Sequence, residues 1–114
     1  MTRASLVAQR HLALFNECVS NGDFSALLAE FAPDAVVKFE NVPGAGTLEF
    51  RGLQAIIAAY ERQPPDDQID VTTEAFEDGE SIVVPFAWRA DGSKGVMRLT
   101  YADGRLAQMV VTFG

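Results

Sequence analysis

Cysteine and histidine are almost absent from this sequence, which contains one residue of each, Cys18 and His11. A lone cysteine has no partner in the chain with which to form a disulfide. One histidine and one cysteine also leave no ligand spacing from which to predict a metal centre. We therefore expect a protein that uses neither a metal ion nor another cofactor.

Basic residues are also scarce. Nine Lys and Arg stand against 16 Asp and Glu, for a formal net charge of -7, and the basic residues are scattered singly. Binding to nucleic acid or to an anionic membrane requires a basic patch that releases counterions. We therefore expect neither nucleic acid nor a membrane as a partner.

Long apolar runs are missing as well. No stretch approaches the roughly 18 consecutive apolar residues of a membrane-spanning helix. The first residues lack the charged segment and the following apolar segment of a secretory signal. These features predict a soluble protein located in the cytoplasm.

The chain has the length of one domain. Its 114 residues are 48% apolar, which is enough to bury a core but leaves no room for a second domain. No linker, internal repeat or low-complexity segment interrupts the sequence. We therefore predict a single domain over residues 1–114.

Three Asp-Gly dipeptides, beginning at Asp78, Asp91 and Asp103, divide the C-terminal part of the chain at nearly even intervals. Each lies between two segments rich in β-branched and apolar residues, an arrangement typical of β-hairpin turns. This part of the chain therefore predicts a four-stranded antiparallel meander. We expect a two-residue turn at Asp91 and a three-residue turn that ends at Gly104.

Helical periodicity precedes the meander. Residues 2–20 and 23–31 carry apolar side chains at steps of three and four, and a third helix follows Gly52. Two strands, at residues 35–40 and 47–50, lie between the second and third helices. We predict an α+β fold in which three helices pack on a strongly curved, mostly antiparallel sheet, forming a cone-like barrel with a pocket between the layers.

A one-residue change of register turns every side chain of a strand to the other face, so the register decides which residues are buried. We expect the more apolar face of each strand to point toward the helices. The inner face of the meander would then hold Val71, Val84, Phe86, Trp88, Met97, Leu99, Tyr101, Met109, Val111 and Phe113. Side chains from the helices and the first strand join them. The predicted ligand-binding residues are Phe15, Phe39, Phe86, Trp88, Met97, Tyr101 and Met109. They predict a pocket for a small hydrophobic molecule.

Several short motifs occur in a characteristic order. They are Asn21-Gly22-Asp23, Phe31-Ala32-Pro33-Asp34, Phe50-Arg51-Gly52 and the closing Phe113-Gly114. With the order of helices and strands, they resemble the nuclear transport factor 2-like superfamily, in particular its ketosteroid isomerase-like and SnoaL-like (polyketide cyclase-like) members. The resemblance spans the whole chain and implies the same cone. Members include isomerases, cyclases, hydrolases and non-catalytic proteins, so the fold does not determine the function.

Ketosteroid isomerases use an aspartate base and an oxyanion hole formed by a tyrosine and a protonated aspartate. The resemblance places Phe15, Phe39 and Met97 at the three corresponding positions. None of these side chains can donate or accept a proton. The resemblance therefore implies a relative without the steroid isomerase residues. It also aligns Tyr60 with a tyrosine that the family carries at the buried end of the third helix.

Three other polar residues, His11, Glu40 and Tyr60, are the candidate catalytic residues for general acid-base chemistry. His11 lies on the apolar side of the first helix, either as a general base or as a core histidine bonded to a backbone carbonyl. Glu40 alternates with Phe39 and so faces solvent, unless a bulge in the following loop reverses the strand. Tyr60 either completes the core or orients a polar group of a ligand.

Two functions are compatible with these features. One is an isomerase, cyclase or hydrolase acting on a small hydrophobic substrate, and the other is a non-catalytic module that binds an apolar ligand or assembles as a dimer. The outer face of the meander is too apolar for a fully solvated surface, which predicts a homodimer. Its apolar residues are Val83, Pro85, Ala87, Val96 and Val110.

Overall fold

The computed structural model describes residues 2–114 of the protein. The helices are α1 (Arg3–Asn21), α2 (Ser25–Leu28) and α3 (Leu53–Arg62). The strands are β1 (Phe31–Val42), β2 (Gly46–Arg51), β3 (Ile69–Val71), β4 (Phe76–Asp78), β5 (Ser81–Trp88), β6 (Lys94–Ala102) and β7 (Arg105–Phe113). Helix α3 lies between β2 and β3 in the chain. This arrangement confirms the predicted α+β fold.

The strands form one curved sheet in the order β2-β1-β7-β6-β5-β3, and β4 also pairs with β5. Neighbouring strands are antiparallel, except that β1 and β7 run parallel. Helix α1 packs on β3, β4 and β5, and α3 packs on β1 and β2. The sheet is not closed, so the predicted barrel is an open cone.

Helix α1 has a clear signal at each end. At its start, the hydroxyl of Thr2 accepts a hydrogen bond from the N–H of Ser5. At its end, Gly22 adopts a φ of 74° and donates its N–H to the carbonyl of Cys18. The buried residues of the helix are Ala4, Ala8, His11, Leu12, Phe15 and Cys18. The predicted apolar stripe therefore carries His11 and Phe15 toward the sheet.

The second helix is shorter than predicted. It ends at Leu28, and the residues expected to complete it begin strand β1 at Phe31. Phe31 is fully buried and pairs with Leu106 of β7, so tertiary pairing overrides the local periodicity. The ladder is irregular over the following residues, which include Pro33, because proline has no N–H to donate.

The hairpin between β5 and β6 has a longer turn than predicted. Ala87 is paired with Lys94, so the loop between them extends beyond the expected two residues at Asp91. The pairing differs from the prediction by an even number of residues, which leaves the predicted faces unchanged. Accordingly, Val84 lies opposite Met97, and both side chains are buried.

In the hairpin between β6 and β7, Met109 faces the core as predicted, but the turn length and the register differ from the prediction. Asp103 and Gly104 form a two-residue turn with φ values of 52° and 78°, the geometry that an Asp-Gly pair favours. This replaces the expected three-residue turn. The register then shifts near Thr100 and adds one residue to β7. Because of this bulge, Leu106 is fully buried while Met109 still faces the core.

Two positions on the inner face of the sheet, Val71 and Gly95, differ in packing. Val71, expected on the inner face, pairs with Phe86 but is 40% exposed because β3 ends there at the edge of the sheet. Gly95, by contrast, is buried, and a Cβ atom there would lie 2.7 Å from Cζ of Phe86. The missing side chain at Gly95 therefore leaves room for the Phe86 ring.

Candidate functional site

A small internal space, the chamber, lies between α1, α3 and the inner face of the sheet and has a volume of about 50 Å³. Its lining residues are His11, Phe15, Phe39, Tyr60, Pro65, Ile69, Phe86, Trp88, Met97, Met109 and Val111. The only hydrogen-bonding side chains among them are His11, Tyr60 and Trp88. The structure thus brings most of the residues predicted for ligand binding around one space, and their role in binding stays a prediction.

A wider space, the vestibule, lies outside the chamber and measures about 390 Å³. It is bordered by β1, β2, the end of α3 and the segment that follows α3. Four side chains line both spaces: Phe39, Tyr60, Pro65 and Trp88. We call these four residues the partition, because they separate the chamber from the vestibule.

A third space, the cleft, also measures about 390 Å³ and lies on another side of His11. Its lining is mostly polar: Arg3, Val7, Arg10, His11, Glu30, Tyr101, Asp103 and Gly104. Tyr101 was predicted among the pocket residues, but it lines this cleft and not the chamber. The reason is its place at the end of β6, beyond the part of the strand that faces Phe86.

Aromatic rings pack edge to face and face to face around the partition. The ring centroid of Trp88 lies 6.5 Å from Phe15, 5.5 Å from Phe86 and 6.0 Å from Phe113. Phe39 lies 6.4 Å from Phe113 and so extends the cluster to β1. Contacts on three sides hold the indole of Trp88 between the chamber and the vestibule.

His11 is buried, with 4% of its surface exposed. No hydrogen bond contributes to the pKa of its ring, and no fully buried side-chain nitrogen or oxygen within residues 2–114 lacks a partner. The ring nitrogens therefore border the chamber or the cleft. Burial lowers the pKa of His11 to about 4, so the imidazole is neutral at physiological pH. Both interpretations of His11, as a general base and as a core histidine, stay predictions.

Tyr60 faces the chamber from α3 and is 7% exposed. Its ring lies 5.5 Å from that of Phe24. Burial, with a smaller contribution from the neighbouring Cys18, raises the pKa of Tyr60 well above its usual value. The phenol therefore stays protonated and can donate a hydrogen bond into the chamber.

Glu40 lies on the other face of β1. Its Oε1 accepts a hydrogen bond from the hydroxyl of Thr112 at 3.1 Å, while its neighbour Phe39 faces the chamber, as strand alternation requires. The strand does contain an irregularity, at Asn41 with a φ of 58°, but it follows Glu40 and does not turn it inward. The structure therefore does not bring Glu40 together with His11 and Tyr60.

Two lining residues were missed by the sequence analysis, Pro65 and Ile69. Pro65 lies in the segment between α3 and β3. Ile69 begins β3 opposite Trp88, and the side-chain amide of Asn16 bonds to both its N–H and its carbonyl at 2.9 Å. A signal for Ile69 was available, because it precedes Val71 by two residues on the same face.

The described part of the chain covers residues 2–114. No three histidine, cysteine, aspartate or glutamate side chains there are grouped so as to hold a metal ion. No helix in that range is both long and apolar enough to cross a membrane.

Known proteins resemble this chain in sequence and in fold. The sequence profile of the SnoaL-like domain matches residues 9–111. No curated protein matches the chain. Several solved structures do, at low sequence identity.

Three of these structures illustrate the range. An NTF2-like protein of unknown function from Mesorhizobium loti is 22% identical, with a TM-score of 0.68 over 100% of this chain and 96% of that one. A protein from Sinorhizobium meliloti, provisionally named a polyketide cyclase, is 25% identical, with a TM-score of 0.64 over 94% and 97% of the two chains. A protein from Bacillus subtilis, provisionally named an isomerase, is 14% identical, with a TM-score of 0.71 over 99% and 90%.

The open cone of helices and curved sheet is thus the fold of the NTF2-like superfamily, as the sequence motifs had implied. Within that class, the match over residues 9–111 is decisive, and this chain belongs to the SnoaL-like domain family.

Replacement of His11 by phenylalanine should flatten the dependence of stability on pH. The pKa is about 4 in the folded protein and about 6.5 in an unfolded chain, so the unfolded state binds more protons between these values. This contribution to stability is complete above pH ~6.5 and is lost as the pH falls toward ~4, by up to about 3 kcal/mol. Urea denaturation across this range should show a steeper decline for the wild type than for His11→Phe. Parallel curves would contradict the lowered pKa.

Proposed function

We propose that this SnoaL-like protein binds a small apolar molecule that enters through the vestibule and reaches the chamber. The observation that carries the proposal is the convergence of apolar side chains from α1, α3, β1 and the meander on one space with few polar groups. Such a combination, apolar walls with a small number of placed hydrogen-bonding groups, is typical of small-molecule sites.

The volumes decide where the bulk of the ligand lies. The chamber, at about 50 Å³, has space for only a few water molecules, since a cavity of roughly 10–15 Å³ on this measure admits one. Pockets for larger organic ligands measure about 300–1,000 Å³, which the vestibule matches at about 390 Å³. We infer that the body of the ligand lies in the vestibule against the partition and that one end displaces Trp88 or Tyr60 to reach the chamber.

The polar groups of the chamber suit a ligand with a carbonyl or hydroxyl group. Tyr60 keeps its proton and can donate it to a carbonyl oxygen in a hydrogen bond. His11 is neutral and can accept a hydrogen bond or take up a proton. In an enzyme of the isomerase, cyclase or hydrolase type, Tyr60 would orient the substrate and His11 would act as the base. The name of the Sinorhizobium meliloti protein, a polyketide cyclase, supports the same substrate class.

The alternative is a protein that binds without turnover. Phe15, Phe39 and Met97 line the chamber at the positions where the resemblance to ketosteroid isomerases expects their proton-transferring groups. This supports the absence of steroid isomerisation by that mechanism. It does not distinguish another enzyme from a ligand-binding or dimeric assembly module, which only measurement of turnover does.

Trp88 provides the test of binding, because it is the only tryptophan of the chain and belongs to the partition. An aromatic probe such as a naphthol should change its fluorescence. In calorimetric titrations, Trp88→Ala should weaken binding at least about tenfold, since loss of a large buried side chain removes more than 1.5 kcal/mol. Phe76→Ala removes an aromatic ring that is 51% exposed on another strand and should leave the affinity unchanged. Equal affinities in all three proteins would exclude a site at the partition.

Turnover should be tested with ketosteroids, other cyclic ketones and epoxides. We expect no ketosteroid isomerisation above background, because the three positions are apolar. If another substrate is converted, His11→Leu and Tyr60→Phe should each abolish the reaction. Glu40→Gln is the matched control, since Glu40 lies on the outer face, and it should retain full activity. Rapid conversion of a ketosteroid would contradict the assignment of these positions.

We also propose that the protein forms a homodimer through the outer face of the sheet. Val96 is 43% exposed there, and half-buried Pro85 and Val110 lie on the same face. A charge at this position should destabilise an apolar interface.

Val96→Lys should therefore shift the protein toward the monomer in light scattering at micromolar concentration, with its helical circular dichroism preserved. Leu6→Lys changes a side chain that is 55% exposed on α1 and serves as the control. A monomeric mass for the wild type would refute the dimer.

A further inference from the structure

The cleft places His11 next to solvent on the side away from the vestibule. We propose that His11 exchanges protons with bulk water through the cleft, so that it stays in contact with solvent when a ligand fills the vestibule and the chamber. The existence of this route does not depend on the proposed function, but its use during turnover rests on it.

The arrangement of the three spaces supports this route. The partition residues line the chamber and the vestibule but not the cleft. His11 is the one side chain that lines both the chamber and the cleft. The spaces therefore follow one another as vestibule, chamber, His11 and cleft, and a ligand that enters from the vestibule does not cover the cleft side of the ring.

The imidazole itself is suited to this position. Its two nitrogens lie on different edges of the ring, and burial alone accounts for its lowered pKa, with no contribution from a hydrogen bond. A neutral imidazole can take up a proton at one nitrogen and release the proton held at the other. The ring is then neutral again, with its proton on the other nitrogen. One proton has thereby moved between the chamber and the cleft.

The surroundings of His11 differ on its two sides. Tyr60 is the only other ionisable group of the chamber. The ionisable groups of the cleft are Arg3 and Arg10 from α1, Glu30 from the segment before β1, and Tyr101 and Asp103 from the β6–β7 hairpin. Among the described residues, the two cations and two carboxylates of the cleft offset each other, so the cleft does not strongly favour a charged imidazole. The apolar chamber excludes water more effectively.

The cleft is also only loosely closed. Arg10 contacts Glu30 at 3.4 Å and Arg3 contacts Glu77 at 2.7 Å, and both arginine side chains are more than half exposed. Ion pairs at such exposure contribute little to stability. The guanidinium groups can therefore move aside, and small polar molecules can reach His11 without unfolding of α1.

Diethyl pyrocarbonate tests the route, because it acylates neutral imidazole and His11 is the only histidine of the chain. Its rate of reaction with His11, followed by peptide mass spectrometry, reports access to the ring. Val7→Phe places a larger side chain in the cleft, and Ala59→Phe places the same group in the vestibule. We expect Val7→Phe to slow acylation several-fold and Ala59→Phe to leave its rate unchanged. Arg10→Ala, which widens the cleft, should increase the rate.

Three outcomes would overturn the proposal: no acylation of His11 in the folded wild type, slowing by Ala59→Phe but not by Val7→Phe, or complete protection by a saturating naphthol. Urea midpoints equal to that of the wild type exclude unfolding as the cause of a change in rate, and Arg10→Ala provides an independent measurement if Val7→Phe does not fold. If no naphthol binds, the proposed function fails, whereas the comparison of Val7→Phe with Ala59→Phe still decides the route.

Discussion

Parallel pairing of β1 with β7 is the interaction on which the candidate site depends. It joins the N-terminal strands and helices to the meander, and it sets Phe39 beside Val111 and Val37 beside Met109. These strands supply part of the sheet wall of the chamber, while α1 and α3 supply the helical wall. Without this pairing, the aromatic cluster around Trp88 would lose the contact between Phe113 and Phe39 that connects it to β1.

Desolvation then determines the chemistry inside the chamber. Removal of water disfavours whichever form of a group is charged. The same physical cause lowers the pKa of His11 and raises that of Tyr60, so both side chains are neutral, one as an acceptor and the other as a donor. Ketosteroid isomerases place a tyrosine and a protonated aspartate in their apolar site as hydrogen-bond donors. Here the polar groups are reduced to a few and the remaining surface is apolar.

Sequence patterns predicted which face of each strand is buried better than they predicted the turns, bulges and strand pairing. Alternation and apolarity identified Val84, Phe86, Met97 and Met109 as inner residues, because burial follows from those properties. The turn lengths, the bulge near Thr100, the early end of α2 and the parallel pairing were not predicted, since each depends on which strands meet in space. The composition of the site was largely predictable, but the separation of Tyr101 from the chamber depends on the three-dimensional structure.

The central position of β7 has a consequence for biosynthesis. This strand is the last one made of those in the sheet, yet it lies between β1 and β6. Contacts between residues far apart in the chain form slowly, and here β1 has no partner besides β2 until β7 has left the ribosome. During translation, the edge of β1 that pairs with β7 would remain without a partner. Nascent chains of this protein should therefore depend on molecular chaperones that protect the unpaired β1 until synthesis of β7 is complete.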